Sequence, residues 1–355
     1  MATSLFGPVQ FGRGQLKNRI VMSPMTRSRS IGNVPGAIVA KYYGQRAGAG
    51  LIVTEGTSPS PNGLGYARIP GLFNEAQVAG WKQVTSAVHA AGGFIFVQLM
   101  HTGRVSHPLN LPDAARVLGP SANATPGQMW TDQSGQQPFP TAIAMSEQDI
   151  ANSIEEFATA FKLATQAGFD GVELHGANGY LIDQFLNTAS NQRTDRWGGS
   201  VENRIRYAVA VAKAAADSIG ADRVGIRLSP YGVFNGMAPD DKMDEVYLRL
   251  IAELNKLKLL YIHIVDHSSM GAPPVSPEIK SKLRSAFDGK YILSGGYDAT
   301  RAQRDLDADR GDMVAFGRPF IANPDLVTKL RLGQELKTPD PETFYTPGEK
   351  GYTDY

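Results

Sequence analysis

The chain has 355 residues, of which 42% are hydrophobic, enough for one large α/β domain with a sizeable core. Its 35 basic and 34 acidic residues give a formal net charge of +1 without any basic run, so we expect no nucleic-acid partner. The absence of cysteine excludes disulfides, thiolate metal sites and cysteine nucleophiles. No run reaches about 18 apolar residues and no secretory signal pattern is present, so we expect a cytoplasmic protein without membrane association.

Short apolar runs alternate along the chain with helical patterns. The runs are almost continuously apolar, which is typical of parallel strands buried on both faces. We predict eight strands, at 19–23, 51–55, 94–99, 171–174, 224–228, 261–265, 291–295 and 313–317. The spacing of apolar residues predicts helices over 75–91, 146–167, 200–219, 242–256, 277–287 and 299–309. Ser146 and Asp149 predict a capping box, and Gly220 predicts a C-terminal cap.

Eight strand–helix units predict a (β/α)₈ TIM barrel that spans residues 1–355 as a single domain. A doubly wound sheet is the rival architecture, but the chain lacks the Gly-rich phosphate fingerprint that usually accompanies it. Residues 101–145 are rich in Pro, Gly, Asn and Gln and form an excursion after the third strand. Because loops of this length are usually functional, we expect a lid or small subdomain there.

Active sites of such barrels lie at the C-terminal ends of the strands, and the loops after strands seven and eight commonly bind phosphate. Gly295, Gly296 and Gly317 occupy those two loops, and Arg318 follows directly. Glycines let backbone N–H groups approach a phosphate, and the arginine adds charge. Ordinary turn glycines and a surface arginine are the alternative, but their joint occurrence in both loops favours a phosphate site.

Polar side chains also stand at the ends of other strands. Gln98 and Arg227 lie near the C-terminal ends of apolar strands. Burial of these side chains without hydrogen-bond partners costs free energy. We therefore expect either a bound polar ring or an internal hydrogen-bond network to supply the partners. The fourth strand leads into "HGANGYL" (175–181), a cluster that suits either a catalytic site or an ordinary polar loop. The remaining histidines are expected to be structural: His89, His101, His107, His263 and His267.

Longer motifs carry a resemblance to a known family. They are "LKNRIVMSPMTRSR" (16–29), "LIVTEGT" (51–57), "FVQLMHTGR" (96–104), "DGVELHGANGYLIDQFL" (170–186), "NQRTDRWGGSVENRIR" (191–206), "GIRLSP" (225–230), "GGY" (295–297) and "FGRPFIANPDL" (316–326). In this order and over nearly the whole length, the chain resembles the Old Yellow Enzyme family of flavin-dependent ene-reductases. The resemblance implies a non-covalent FMN, NADPH or NADH as reductant, a small activated alkene as substrate, and a monomer or homodimer.

The resemblance also implies residue roles. His175 and Asn178 match the pair that binds the substrate oxygen, Tyr180 matches the proton donor, and Tyr345 resembles an aromatic wall of the substrate pocket. Hydride transfer from flavin N5 and a proton from Tyr180 would together reduce the C=C bond of an α,β-unsaturated carbonyl or nitro compound. The residues that match the family's FMN site are Pro24, Met25, Thr26, Gly56, Gln98, Arg227, Gly295, Gly296, Gly317 and Arg318. No metal site is implied.

Two stretches depart from the family pattern. Met100 stands where several relatives have Trp, which affects the shape of the pocket, and residues 263–271 lack a Glu-Pro-Arg sequence. Two other functions remain open: a flavin-free sugar-phosphate isomerase or aldolase, and a flavin-binding protein without turnover. The first needs a Lys or Glu base at a strand end, where Glu55 is a candidate and Glu173 is expected to face elsewhere. The absent cysteines exclude the iron–sulfur branch of the superfamily.

Overall fold

The computed structural model describes residues 4–355. Each of the eight predicted strands forms one strand of a closed parallel barrel. The strands in chain order are β1 (Val9–Phe11), β2 (Gly14–Leu16), β3 (Ile20–Met22), β4 (Leu51–Val53), β5 (Ile95–Leu99), β6 (Leu118–Gly119), β7 (Gln128–Thr131), β8 (Gly135–Pro138), β9 (Ile143–Ala144), β10 (Gly171–Gly176), β11 (Val224–Leu228), β12 (Tyr261–Val265), β13 (Lys290–Ser294) and β14 (Met313–Phe316). The barrel order is β3, β4, β5 and then β10 to β14, and β14 closes onto β3. The predicted TIM barrel is confirmed.

Helices surround the barrel. In chain order they are α1 (Ala37–Gln45), α2 (Glu75–Ala90), α3 (Glu147–Gln166), α4 (Leu181–Leu186), α5 (Val201–Ile219), α6 (Met243–Lys256), α7 (Pro277–Ser285), α8 (Ala299–Asp307), α9 (Arg318–Ala322) and α10 (Leu326–Leu332). The six predicted helices correspond to α2, α3 and α5 to α8, with ends that agree within two residues. The capping box at Ser146 and Asp149 forms as predicted, and Gly220 ends α5 with a φ of 90°.

Side chains alternate along each barrel strand between the helices and the barrel interior. The outward residues pack with the helices in one large apolar core, which includes Leu174, Ile226 and Ile262. The inward residues at the base form a second cluster that includes Phe96 and Tyr261. The β1–β2 hairpin, which the sequence patterns did not predict, adds Phe11 to this cluster and closes the N-terminal end of the barrel.

The excursion after β5 contains local structure of its own. β7 and β8 form an antiparallel hairpin in which Met129 faces Gln137, while β6 and β9 form a short parallel pair. The Arg68 guanidinium, in the loop after β4, forms an ion pair with Asp132 of the hairpin turn. The hairpin is thereby attached to the C-terminal face of the barrel. None of the helices in residues 4–355 combines the length and apolar character that a membrane crossing needs.

Candidate active site

A cavity of about 690 Å³ opens at the C-terminal end of the barrel. Each of the eight barrel strands, or the loop that follows it, contributes to its lining. The structure brings all the residues of the predicted site to this one cavity: Pro24, Met25, Thr26, Gly56, Gln98, His175, Asn178, Tyr180, Arg227, Gly295, Gly296, Gly317, Arg318 and Tyr345. Its volume lies in the range of small-molecule and cofactor sites, about 300–1,000 Å³.

The charged side chains that line the cavity are all positive. Arg27, Arg227 and Arg318 line it, whereas no Asp, Glu or Lys among residues 4–355 does. Glu55 is fully buried, and its Oε2 accepts hydrogen bonds from the backbone N–H groups of Arg27 and Ser28. The cavity therefore suits an anionic ligand and offers no Lys or Glu base, which counts against a sugar-phosphate isomerase or aldolase.

As expected from the sequence, Glu173 does not line the cavity. Its side chain points into the barrel interior, where its Oε1 accepts a hydrogen bond of 2.8 Å from Gln98 Nε2. It is fully buried. The physical reason is the alternation of strand side chains, which puts residues 173 and 175 on the same face of β10.

Arg227 is the strongest indication of a ligand. Only 7% of the residue is exposed, and its buried Nε has no hydrogen-bond partner among the described residues. Burial lowers the pKa of the guanidinium, and the nearby Glu173 carboxylate offsets part of this effect. A buried cation without hydrogen bonds is costly. A flavin ring, whose N1 and carbonyl oxygens accept hydrogen bonds, matches the unsatisfied donors of this side chain, so the residues present fit FMN.

The chain leaves β10 in a sharp turn that presents three polar residues. Asn178 and Gly179 have φ values of 62° and 76°, so the exit from β10 is a left-handed turn. The hydroxyl of Ser229 accepts a hydrogen bond from the Asn178 N–H, and the Asp183 carboxylate accepts one from the Gly179 N–H. α4 then begins directly after Tyr180. These bonds hold a conformation that a non-glycine residue rarely adopts.

His175 and Asn178 carry unsatisfied polar groups. His175 Nδ1 and Asn178 Oδ1 are buried and have no hydrogen-bond partner among residues 4–355. Burial, reinforced by Arg227 and two neighbouring imidazoles, places the pKa of His175 well below its usual value, so the ring is neutral at physiological pH. A neutral imidazole with one N–H and a carboxamide with two can donate to a common ligand oxygen.

Tyr180 lies against both His175 and a second tyrosine. Its ring centroid is 4.8 Å from that of His175, and its hydroxyl oxygen is 3.0 Å from that of Tyr66. Burial raises the pKa of the Tyr180 phenol, while the hydrogen bond from Tyr66 acts in the opposite direction. The phenol is therefore protonated at neutral pH and can act as an acid. Tyr66 carries no sequence motif that would have marked it as part of the site.

The loops after β13 and β14 lie side by side at the other end of the cavity. Gly295 and Gly296 have positive φ values, and Arg301 of α8 donates hydrogen bonds of 2.9 and 3.3 Å to their carbonyl oxygens. A Cβ at Gly295 would lie 2.2 Å from the Asp266 carbonyl oxygen, so close packing also explains this glycine. A Cβ at Gly317 would meet only ordinary contacts at 3.7 Å or more, so this glycine leaves its backbone open to the cavity.

Met100 and His267 occupy the positions where the sequence departs from the family pattern. A Cβ at Gly56 would lie 2.5 Å from Met100 Sδ, so the missing side chain at residue 56 makes room for the methionine. His267, expected to be structural, instead lines the cavity. Its ring centroid lies 4.6 Å from that of Phe234 with the planes tilted by 60°, and its buried Nδ1 has no hydrogen-bond partner among the described residues. Burial lowers its pKa to about 4. No spacing pattern in the sequence connects residues 234 and 267, because tertiary packing alone brings them together.

A second cavity of about 750 Å³ adjoins the first. It lies between the β7–β8 hairpin and the C-terminal segment, and it shares Thr26, Tyr66, Tyr180 and Tyr345 with the first cavity. Tyr345 is 59% exposed and separates the two spaces. The tyrosine that resembles an aromatic wall of the substrate pocket therefore lines the cavity.

A parallel barrel with a positively charged mouth and unsatisfied donors for a flavin ring defines a flavin-dependent oxidoreductase. The model of the NADH:flavin oxidoreductase / NADH oxidase family matches residues 4–337. The chain belongs to that family, and its resemblance to the Old Yellow Enzyme family is confirmed. It is thus an FMN-dependent NAD(P)H oxidoreductase of the ene-reductase class.

Three known proteins illustrate the similarity. Chanoclavine-I aldehyde reductase fgaOx3 of Penicillium roqueforti is 43% identical over 99% of this chain and 96% of that protein. A probable flavin mononucleotide-dependent alkene reductase of Leishmania infantum is 39% identical over 98% of this chain and 96% of its own length. The structure of morphinone reductase in complex with tetrahydroNAD superimposes with a TM-score of 0.94 at 45% identity, covering 99% of this chain and 97% of that one.

Proposed function

We propose that this protein reduces the activated C=C bond of α,β-unsaturated carbonyl or nitro compounds, with NADPH or NADH as the source of electrons. The observation that carries the proposal is the His175–Asn178 pair beside the protonated Tyr180 phenol: the imidazole and carboxamide nitrogens have no hydrogen-bond partner in residues 4–355, and no carboxylate of that range lines the cavity. These groups supply the two functions that alkene reduction needs from a protein, which are binding of the developing negative charge and delivery of a proton.

His175 and Asn178 bind the carbonyl or nitro oxygen of the substrate. As the bond is reduced, negative charge grows on this oxygen, and hydrogen bonds from two fixed donors strengthen with it. Removal of one such donor costs about 2.7–4 kcal/mol in comparable sites. Because the imidazole is neutral, it acts as a hydrogen-bond donor without offering an acidic proton that would compete with Tyr180.

Tyr180 donates its hydroxyl proton to the α-carbon of the substrate. The phenol stays protonated until it is used because burial raises its pKa. Tyr66 donates a hydrogen bond to the same oxygen and stabilises the phenolate that remains. The hydrogen bond between the two tyrosines also holds the ring of Tyr180 beside that of His175.

The remaining cavity residues hold FMN. Arg227 and Gln98, which line the cavity, would hold the pyrimidine half of the ring, Thr26 would donate to a ring carbonyl oxygen, and Pro24, Met25 and Gly56 would pack against the ring. Gly295, Gly296, Gly317 and Arg318 would bind the phosphate through backbone N–H groups and positive charge. When bound, FMN supplies the hydride chemistry that no side chain of this protein can provide.

Two further assignments accompany this proposal. Residues 1–355 form a single FMN-binding domain in which residues 101–145 act as a lid, and Tyr345 forms a wall of the substrate pocket. The protein acts in the cytoplasm as a monomer or homodimer on a small-molecule substrate. Sedimentation of the purified protein gives the oligomeric state, and separate kinetics with NADPH and NADH give the preferred reductant.

Purified protein and two variants test the proposal. The native protein should be yellow with FMN and should oxidise NAD(P)H when given a cyclic enone. Tyr180→Phe should slow alkene reduction at least tenfold while flavin reduction by NAD(P)H stays within twofold, and His175→Ala should weaken enone binding. Colourless protein that does not take up FMN would refute the function. An enone reduction rate that is the same in wild type and His175→Ala would show that the rate does not depend on this site, as expected of a flavin-binding protein whose enone reduction is incidental.

A further inference from the structure

A buried hydrogen-bonded cluster lies one layer below the cavity, on the inner face of the barrel. At its centre, Glu173 accepts hydrogen bonds from Gln98 Nε2 at 2.8 Å, from the Tyr261 hydroxyl at 3.0 Å and from His263 Nδ1 at 2.9 Å. Gln98 is 1% exposed, and the other three residues are fully buried. Of the four, only Gln98 lines the cavity. Glu173 therefore can reach a ligand only through its neighbour.

The register of the barrel builds this cluster. Glu173 of β10 lies opposite Gln98 on one side and Gly225 on the other, and Gly225 in turn lies opposite Tyr261. A Cβ at Gly225 would lie 2.2 Å from the Tyr261 ring, which occupies the space of the missing side chain. The glycine thus lets the tyrosine extend across β11 to the Glu173 carboxylate.

The charge of Glu173 determines how the Gln98 amide is oriented. Burial by itself raises the pKa of this carboxyl, but His263, Arg227 and Gln98 outweigh burial, and the pKa lies below its usual value. The group is therefore an ionised carboxylate, which only accepts hydrogen bonds. Of the two ends of the Gln98 amide, only the nitrogen can face it. The oxygen of Gln98 then faces the cavity and has no hydrogen-bond partner in residues 4–355.

An amide held in this orientation is complementary to the pyrimidine edge of a flavin. That edge presents one donor, N3–H, between two carbonyl oxygens. A glutamine oxygen accepts from N3–H, and the free N–H of the same amide can donate to an adjacent carbonyl oxygen. A reversed amide would set two donors against each other. The orientation chosen by Glu173 is thus the one that a flavin needs.

Glu173 also interacts with Arg227. Its carboxylate is the strongest favourable charge acting on the buried guanidinium. A reduced flavin is an anion, and Arg227 attracts it, whereas Glu173 repels it from one layer below. The two side chains therefore set the electrostatic potential at the pyrimidine half of the ring in opposite directions.

We propose that Glu173 is a positioning residue of the flavin site, which fixes the Gln98 amide with its oxygen toward the ring and moderates the positive charge of Arg227. The inference rests on the FMN site of the proposed function. It adds a buried side chain that touches neither flavin nor substrate but governs how tightly each redox form of the flavin is bound.

The reduction potential of the bound flavin tests the charge effect. Glu173→Gln should raise this potential by about 30 mV or more, which corresponds to a tenfold gain in affinity for reduced over oxidised FMN in a two-electron couple. Tyr261→Phe is the matched control, because it removes a neutral donor from the same carboxylate and leaves both charge and Gln98 in place. It should lower stability and leave the potential unchanged. A potential unchanged in Glu173→Gln would overturn the charge effect.

The affinity of the apoprotein for oxidised FMN tests the orienting effect. A carboxamide at residue 173 can face Gln98 with either end, so Glu173→Gln should weaken FMN binding severalfold. The same substitution should have no further effect in a Gln98→Ala background, because a positioning residue acts through its partner. Equal changes in FMN affinity with and without Gln98 would overturn this role and leave Glu173 a structural residue.

If Glu173→Gln does not fold, the orientation of the Gln98 amide can still be tested in the wild-type protein. Its apoprotein should bind FMN at least tenfold more tightly than N3-methyl-FMN, and Gln98→Ala should narrow that gap. Equal wild-type affinities for the two flavins would overturn the proposed amide orientation. Failure of wild-type protein to bind FMN would refute the proposed function itself. If the wild-type protein binds FMN and reduces alkenes, but neither the reduction potential nor the FMN affinity changes in Glu173→Gln, only this inference is refuted.

Discussion

At the scale of single residues, the hydroxyl groups of Tyr66 and Tyr180, 3.0 Å apart, form the part of the site that can donate a proton. In the proposed reaction, Tyr66 donates to the oxygen that Tyr180 leaves charged after proton transfer. Tyr66→Phe should therefore slow alkene reduction about fivefold, the value of one neutral hydrogen bond of about 1 kcal/mol, and should spare flavin reduction. Stopped-flow measurement of the two half-reactions checks this, with Tyr231→Phe, a half-buried tyrosine that lies outside the lining of the cavity, as control. Equal slowing of both half-reactions would contradict it.

Glu55 is a second residue whose environment makes a measurable prediction. Burial raises its pKa from 4.5 to about 7, so the folded protein binds a proton there that the unfolded chain releases. Its stabilising contribution is complete below pH 4.5, falls as the pH rises to about 7 and is constant above that. Glu55→Gln keeps an acceptor for the Arg27 and Ser28 N–H groups without this loss.

Between pH 5 and pH 8, the stability of Glu55→Gln should therefore rise relative to wild type by about 3 kcal/mol, from the size of the pKa shift. Urea unfolding of both proteins at the two pH values measures the difference. The exposed Glu155→Gln on α3 serves as control, with no expected change in the profile. A difference between Glu55→Gln and wild type that is the same at both pH values would show that residue 55 does not take up the proton.

The C-terminal segment, residues 342–355, completes the cavity wall with Phe344 and Tyr345, and Arg29 makes several of the hydrogen bonds that hold it. The Arg29 guanidinium donates to the carbonyl oxygens of Thr343, Phe344, Gly348 and Lys350 at 2.8 to 3.2 Å. Arg29→Met should cost about 3 kcal/mol of unfolding free energy, because it leaves several carbonyl groups without donors. It should also raise KM for the alkene more than it changes kcat, since Tyr345 loses its fixed position.

Chemical denaturation and steady-state kinetics measure both effects of Arg29→Met. Arg249→Met on α6 is a suitable control, because it removes only a half-exposed ion pair with Glu253 that contributes little. An Arg29→Met protein with wild-type stability and KM would show that the wall does not depend on this arginine.

Predictability from sequence varied with the apolar character and the periodicity of each element. The eight barrel strands are only three to six residues long, but they were predicted because their sequences are almost continuously apolar, and α3 and α5 were predicted because five or six turns display a clear period. The hairpins β1–β2 and β7–β8, the β6–β9 pair and the helices α1, α4, α9 and α10 were missed, since they combine two to nine residues with a mixed polar and apolar sequence that shows too little periodicity. Alternation could have placed Glu173, because it shares a face with His175; nothing in the sequence could have placed Tyr66 beside Tyr180.

At the scale of the whole molecule, ligand binding and folding are coupled. FMN in the proposed site contacts loops after most barrel strands, so it should stabilise the folded protein by about 2.7 kcal/mol at a concentration of 100 Kd. Riboflavin, which lacks the phosphate, should raise the Tm of the apoprotein less than FMN does at equal concentration. Arg318→Ala should narrow the gap between the two flavins, and the exposed Arg331→Ala should not. Equal stabilisation by FMN and riboflavin would place the phosphate outside these loops.

The β1–β2 hairpin has a consequence for the kinetics of the whole enzyme. It packs Phe11 against Phe96 and Tyr261 and so seals the base of the barrel. Under the proposed function, reductant and alkene both arrive from the C-terminal face and compete for the space beside His175 and Asn178. Excess alkene should bind the oxidised enzyme and excess reductant the reduced enzyme, and neither complex can react. Each compound should therefore inhibit turnover at high concentration, and a higher concentration of the other compound should relieve that inhibition.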